Sequence, residues 1–386
     1  MYTFTNKLGL SSLILLHLIS SLTSNAQLIL PSPNGTYAVG HSVAKMVDES
    51  RVDPYDPKEG KRALMMSLFY PVERKACEET CQIDWMSPVT ASYGGQLAVA
   101  YNISDAIFQN IKFPVCCKYS DEAAETVPSF PLVLFSPGLG GSRQMYNAMA
   151  SSLASSGYAV ATIDVPYDSF VVEFPDGSLI PGKNLSYWDG SFSVMKKLLD
   201  TRVDDGRFVL SQLGNTSVVQ ELVPGASCGF FTKRAGFFGH SYGGATALAA
   251  LMKDRRFVGG IDMDGSLWGN ITDIHQAGVI FNTPMHNFTQ DPSLQEGWDH
   301  MKGWRRELTL NDTVHLTFSD IPLLVKSLGV PINDTVRGII GGLDPDRSFS
   351  IITTFVRAVM DYALQGKDNA ILDGNTAAYP EVEVNS

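Results

Sequence analysis

Basic residues are scarce: 29 lysines and arginines stand against 40 aspartates and glutamates in 386 residues, a formal net charge of −11. Such a surface lacks the basic face that nucleic acid requires and is a poor partner for anionic membranes. Cysteine is scarcer still, with five, too few for a small disulfide scaffold. Cys77, Cys81, Cys116 and Cys117 cluster, while Cys228 stands apart. In an oxidising compartment one or two bridges are expected, with one thiol left over and the pairing open. No histidine cluster accompanies these thiols, so no metal is expected there. Beyond the N-terminus no apolar run approaches the length of a membrane span. Repeats and low-complexity tracts are missing as well, which leaves one sizeable globular domain, 44% hydrophobic and 18% charged.

What is present begins with an address. Lys7, an apolar run from Leu8 to about Leu22 and the small residues Ser24-Asn25-Ala26 read as a secretory signal peptide over residues 1–26. Cleavage after Ala26 leaves residues 27–386 as the mature chain. N-x-S/T sequons at Asn34, Asn102, Asn184, Asn215, Asn270, Asn287, Asn311 and Asn333 agree with a secreted, extracellular glycoprotein.

From residue 60 onward strand-like and helix-like segments alternate. Strands are expected at Ala63–Tyr70 (closed by Pro71), Phe130–Phe135, Tyr158–Ile163, Arg234–Phe238, Phe257–Met263, Gly278–Phe281 and Glu307–Leu310. Helices are expected at Arg143–Ser156, around Ser193–Leu213, at Ala245–Met252 and at Ser348–Leu364, the last capped by Asp346 and ended by Gly366. Residues 165–230 are the least regular and hold a hairpin turn at Asp176-Gly177. Repeated strand–helix units imply a mostly parallel sheet with helices on both faces.

G-x-S-x-G occurs twice, at Gly239-His240-Ser241-Tyr242-Gly243 and at Gly225-Ala226-Ser227-Cys228-Gly229. Only the first follows an apolar strand and opens an alanine-rich helix, the strand–elbow–helix setting that exposes a nucleophilic serine above the sheet. Ser241 is therefore the expected nucleophile and Ser227 a loop serine. Gly40-His41-Ser42-Val43-Ala44 lacks the second glycine. A serine hydroxyl needs a base, and the base an orienting acid. Of the later histidines, His315 sits just beyond a strand's C-terminal end. His275 precedes its strand, and His286 and His300 fall in an irregular, surface-like segment. Asp264 ends the strand after the elbow helix and is preferred as the acid, with Asp262 and Asp291 as alternatives. The oxyanion hole is expected from the N–H groups of Tyr242 and of Leu139, in the glycine-rich stretch FSPGLGGSR.

These pieces resemble the platelet-activating-factor acetylhydrolase family, the plasma-type α/β-hydrolases. The likeness spans roughly residues 37–367 and rests on YAVGHS, FSPGLGGSRQMY, RVDDGRFVLSQL, GHSYGGATAL, FVGGIDMDGS, TVHLTFSD and FVRAVMDYALQGK. It implies an α/β-hydrolase fold and a secreted eukaryotic, fungal member of the family. It also implies a triad of Ser241, Asp264 and His315, with Leu139 and Tyr242 as oxyanion donors. The implied reaction is hydrolysis of a short or oxidised sn-2 acyl ester of a glycerophospholipid through an acyl-enzyme. No metal, calcium or organic cofactor is implied. The expected partners are a small ester or phospholipid and at most a peripheral lipid contact. Pro137-Gly138 stands where the family has His-Gly, and the cysteine cluster and residues 165–190 look particular to this chain. The alternatives are a general carboxylesterase, lipase or polyester hydrolase with the same triad, and a non-catalytic hydrolase-fold binding protein.

Overall fold

The computed structural model describes residues 27–98, 106, 108–183, 187 and 190–385. The expected leader and the sequons at Asn102 and Asn184 lie outside the described residues.

Nine strands form the central sheet. They are β1 (Ala38–Val52), β2 (Lys61–Val72), β3 (Leu132–Ser136), β4 (Ala159–Asp164), β5 (Ala235–His240), β6 (Phe257–Met263), β7 (Ala277–Asn282), β8 (Arg305–Leu310) and β9 (Val382–Asn385). Their spatial order is β9-β8-β7-β6-β5-β3-β4-β2-β1. The six strands from β4 across to β8 run parallel, while β1, β2 and β9 add antiparallel margins. The chain passes from β3 outward to β4 and then returns to β5 on the other side of β3. That reversal opens a crevice at the carboxyl ends of β3 and β5, where open sheets of this kind hold their ligands.

Alternation along each strand builds two cores. In β3, Leu132 and Leu134 face one apolar layer, and Val133 and Phe135 face the other. Helices α1 (Asn147–Ser155) and α4 (Pro345–Gln365) cover the second layer with Met149, Leu153, Ile351, Ile352, Phe355, Val356 and Val359. Helices α2 (Phe192–Gln212) and α3 (Tyr242–Lys253) cover the first with Leu198, Leu199, Val203, Ala247 and Leu248. The result is the mostly parallel, two-faced sheet that the alternating pattern implied, in the α/β-hydrolase architecture that the resemblance implied.

Several expectations need correction. Pro71 does not close β2; it pairs with Val39 inside the strand. β4 pairs only with Met65–Phe69, so beyond Phe69 one side of β2 is an edge that tolerates a missing N–H. Asp346 does not cap α4. Asp344 does, its Oδ1 accepting from the N–H groups of Asp346 and Arg347, and Pro345 takes the first helical position. The segment around His286 and His300 is not simply irregular surface, because residues Pro292–His300 are helical and His286 lies against Asp264.

A second, three-stranded sheet joins Leu28–Ile29, Ile111–Tyr119 and Cys77–Asp84. The last two are antiparallel neighbours locked by Cys77–Cys116 and Cys81–Cys117, leaving Cys228 free and exposed. Val171–Glu173 and Leu179–Pro181 form the hairpin expected around Asp176-Gly177. Of the described sequons, Asn34, Asn215, Asn270 and Asn333 are exposed. Asn287 and Asn311 are half-buried, and their Nδ2 groups donate to Pro284 O and Glu383 Oε1. Among the described residues no helix is long and apolar enough to cross a membrane.

Candidate active site

β5 delivers His240 to the crevice and the chain then turns sharply. Ser241 takes φ 56° and ψ −126°, a left-handed conformation costly for any residue with a Cβ. Three bonds hold it there: Ser241 N–H donates to Met263 O at 2.7 Å, and its carbonyl accepts from Gly244 at 2.8 Å and Ala245 at 3.3 Å. The flanking glycines are required by space. A Cβ on Gly239 would come within 2.2 Å of Gly243's backbone, and one on Gly243 within 2.0 Å of Ser136 O. The turn thus packs directly on the end of β3.

The loop leaving β3 touches the elbow, since a Cβ on Gly138 would lie 3.3 Å from Ser241 Cβ. Among the described residues neither the Leu139 nor the Tyr242 N–H has a hydrogen-bond acceptor. Tyr242 is the first residue of α3, so its free N–H lies at the positive end of a 12-residue helix.

Asp264, the residue after β6, also has positive φ (57°) and is almost fully buried. Its Oδ2 stands 2.6 Å from His315 Nδ1, and its Oδ1 accepts from Thr283 N–H at 2.8 Å and Thr283 Oγ at 2.9 Å. Burial alone would raise this carboxyl, but hydrogen bonds from His286, His315 and Thr283 hold it well below the ordinary range. It is a fixed anion at neutral pH. His315 begins a short helical turn after β8, with half of its side chain open. With Nδ1 on the carboxylate, Nε2 is the nitrogen left for chemistry.

Three side chains bind this arrangement together and were not found in the sequence. His240 is buried between Tyr146 and the base loop: Tyr146 Oη meets its Nδ1 at 2.8 Å, and its Nε2–H donates to His315 O at 2.9 Å. Burial depresses it to about 3, so it stays neutral. Gly138 N–H in turn donates to Tyr146 Oη at 3.4 Å, linking the β3 loop to the β8 loop through one chain of bonds. His286 is the third. Its Nδ1 is 3.4 Å from Asp264 Oδ1 and its Nε2 is 3.0 Å from Asp291 Oδ2. Its hydrogen bond with Asp264 pushes it up to about 9, helped by Asp291 against the cost of burial.

The remaining candidates separate cleanly. Asp291 caps the helix Pro292–His300 and reaches Asp264 only through His286. Asp262 is buried under the elbow, where burial pushes its carboxyl well above the usual range. Ser227 is exposed in the loop that leads to the N-terminal end of β5, the opposite edge of the sheet.

The family model described as "Platelet-activating factor acetylhydrolase, isoform II" matches residues 22–172 and 229–375, leaving 173–228, including the stretch RVDDGRFVLSQL, unmatched. The probable 1-alkyl-2-acetylglycerophosphocholine esterase of Arthroderma benhamiae is 30% identical, covering 95% of this chain and 97% of that one. The platelet-activating factor acetylhydrolase of Cavia porcellus is 23% identical, covering 78% and 70%. Among solved structures, the ferulic acid esterase from Streptomyces cinnamoneus superposes with a TM-score of 0.75 at 26% identity, covering 94% of this chain and all of that one.

Proposed function

The chain belongs to the platelet-activating factor acetylhydrolase, isoform II, family and is an ester hydrolase; from that premise we propose that it is a secreted serine esterase removing a short or oxidised sn-2 acyl group from platelet-activating-factor-like glycerophospholipids. The observation that carries the reading is the 2.6 Å contact between His315 Nδ1 and Asp264 Oδ2, beside a serine held in a left-handed elbow.

In this scheme His315 Nε2 takes the Ser241 proton as Oγ bonds to the ester carbonyl carbon. Asp264 keeps the Nδ1 proton in place and stabilises the imidazolium. The carbonyl oxygen, now an oxyanion, is received by the N–H groups of Leu139 and Tyr242. His315 then returns the proton to the leaving alcohol, the C–O bond breaks, and the acyl group stays on Ser241. Water, activated by the same base, attacks the acyl-enzyme; the carboxylic acid leaves and Ser241 regains its proton. No metal or cofactor enters these steps. The leader 1–26, the two disulfides and four exposed sequons support secretion. The mature chain, 27–386, is read as one catalytic domain with an insertion at about 165–230.

Two measurements test this. A fluorophosphonate should label Ser241 in the purified protein and fail to label Ser241→Ala. A panel varying acyl length and head group independently should favour the acetylated ether phospholipid. The likeness to a ferulic acid esterase supports a second reading, a carboxylesterase acting on esters outside phospholipids. Higher kcat/KM on simple aryl esters than on the acetylated ether phospholipid would favour it.

A further inference from the structure

The β3 loop can serve as an oxyanion site only if the Leu139 N–H faces the crevice, and a glycine-rich loop does not fix that by itself. The Gly138 carbonyl and the Leu139 N–H belong to one peptide unit, and in a planar trans peptide they point in opposite directions. Whatever holds that carbonyl therefore aims that N–H.

The holding group is Arg202, on α2. Its Nη2 donates to Gly138 O at 3.2 Å, and its Nη1 donates to Pro137 O at 2.6 Å and to Ser136 Oγ at 3.1 Å. Gly141 N–H adds a second bond to Gly138 O at 3.0 Å. Asp168 fixes the guanidinium, accepting from Nε at 2.7 Å, and its other oxygen accepts from Gly140 N–H at 2.8 Å. The two side chains form an ion pair that is fully buried. The guanidinium also lies 5.1 Å from the centre of the Tyr242 ring. One buried pair thus fastens the backbone on both sides of Leu139 and packs against the residue that carries the second free N–H.

We propose that Arg202, held by Asp168, is the positioning residue that presets the oxyanion site, aiming the Leu139 N–H by anchoring the Gly138 carbonyl. This rests on the serine-esterase reading and adds to it. Arg202 is not a catalytic residue; it touches no reacting atom, and its charge is balanced by Asp168. Its planar fork reaches two successive carbonyls and a hydroxyl at once, which a lysine ammonium cannot do. It comes from a helix in residues 173–228, the interval outside the family match, so a segment the family model does not cover would serve the chemistry by positioning the oxyanion loop.

The test is Arg202→Lys in the full secreted protein, read by kcat, KM, inhibition by a short alkyl trifluoromethyl ketone, and Tm. The ketone forms a tetrahedral adduct whose oxyanion uses the same donors. Removing one such donor costs about 10²- to 10³-fold in kcat. The expected result is a fall of about 10²-fold in kcat with KM within about threefold. The ketone affinity should weaken by about the same factor as kcat. A kcat within threefold of the parent, or a loss confined to KM or Tm with unchanged ketone affinity, would overturn the proposal. If Arg202→Lys does not fold, Asp168→Asn keeps Arg202 and an acceptor for Gly140. It should lose about tenfold in kcat and in ketone affinity together, and unchanged values of both would equally refute the clamp. Fluorophosphonate labelling of the parent separates the two layers. If Ser241 is not labelled, the serine-esterase reading fails first; if it is labelled and the variants behave as the parent, only the clamp fails.

Discussion

At the scale of single residues, the proposed roles make unequal demands. Ser241→Ala should lower kcat by about 10⁴-fold or more, while Ser227→Ala, on the far edge of the sheet, should change little. Asp264→Asn should cost about 10³- to 10⁴-fold with the fold intact, because the imidazole loses its fixed tautomer. Steady-state kinetics on a soluble acetyl ester measures both. Asp291→Asn proving the more damaging acid change would contradict the assignment. A separate expectation concerns His286, raised from its ordinary value to about 9 by Asp264 and Asp291. A raised folded-state value means the proton is bound more tightly in the folded chain. The stability it contributes is whole below about pH 6.5, declines above that, and is gone once the pH passes about 9. Melting temperature should therefore fall between pH 7 and 10 in the parent and fall less in His286→Gln. Parallel curves for the two proteins would rule this linkage out.

The elements show what sequence could and could not reveal. β6 begins and ends where its apolar run does, at Phe257 and Met263, and α4 ends at Gly366, whose φ of 66° suits glycine. The placement of Ser241, Asp264 and His315 at or just beyond strand carboxyl ends was legible from chain order and periodicity, while the choice of Asp264 over Asp262 and Asp291 leaned on the family resemblance. His286, Tyr146 and Arg202 were not legible. Their partners lie 22, 94 and 64 residues away, at strand ends and in a loop whose positions relative to them depend on tertiary packing rather than local pattern. The cysteine sheet was visible as a cluster but not as a pairing. Its bridges close 39 and 36 residues of chain. In the chain-entropy view the first contributes about 4 kcal/mol and the second less, because it closes nearly the same loop. Reduction should accordingly lower Tm by about 5 to 10 °C, since about 1 kcal/mol corresponds to a few degrees in a large domain. Calorimetry with and without reductant checks this, and an unchanged Tm after both bridges are shown to be open would refute it.

The whole molecule bears on where the enzyme meets its substrate. A net charge of −11 repels anionic bilayers, and screening at physiological salt removes that repulsion only beyond about 8 Å. Among the described residues the exposed large apolar side chains are spread along the chain: Ile29 in the three-stranded sheet, Val43, Val47 and Val52 on β1, Leu179 in the hairpin, Tyr187, Phe192 on α2, Phe231, Met285 near the crevice and Ile332. Stable attachment to a lipid surface needs more than one such weak signal acting together. We therefore expect substrate to be taken from solution, and that expectation constrains acyl length. Each further buried CH₂ could contribute about 0.8 kcal/mol of binding, so an open apolar groove would favour long chains by large factors. A preference for short chains requires the crevice to end close to Ser241. We expect kcat/KM to peak between two and about six acyl carbons and to fall for C16, by the reasoning that lost fit outweighs added burial. We also expect no rise in rate as a short-chain substrate crosses its critical micelle concentration or when anionic vesicles are added. A profile climbing steadily to long-chain phospholipids or triglycerides, with activation at the interface, would replace the acetylhydrolase reading with that of a lipase.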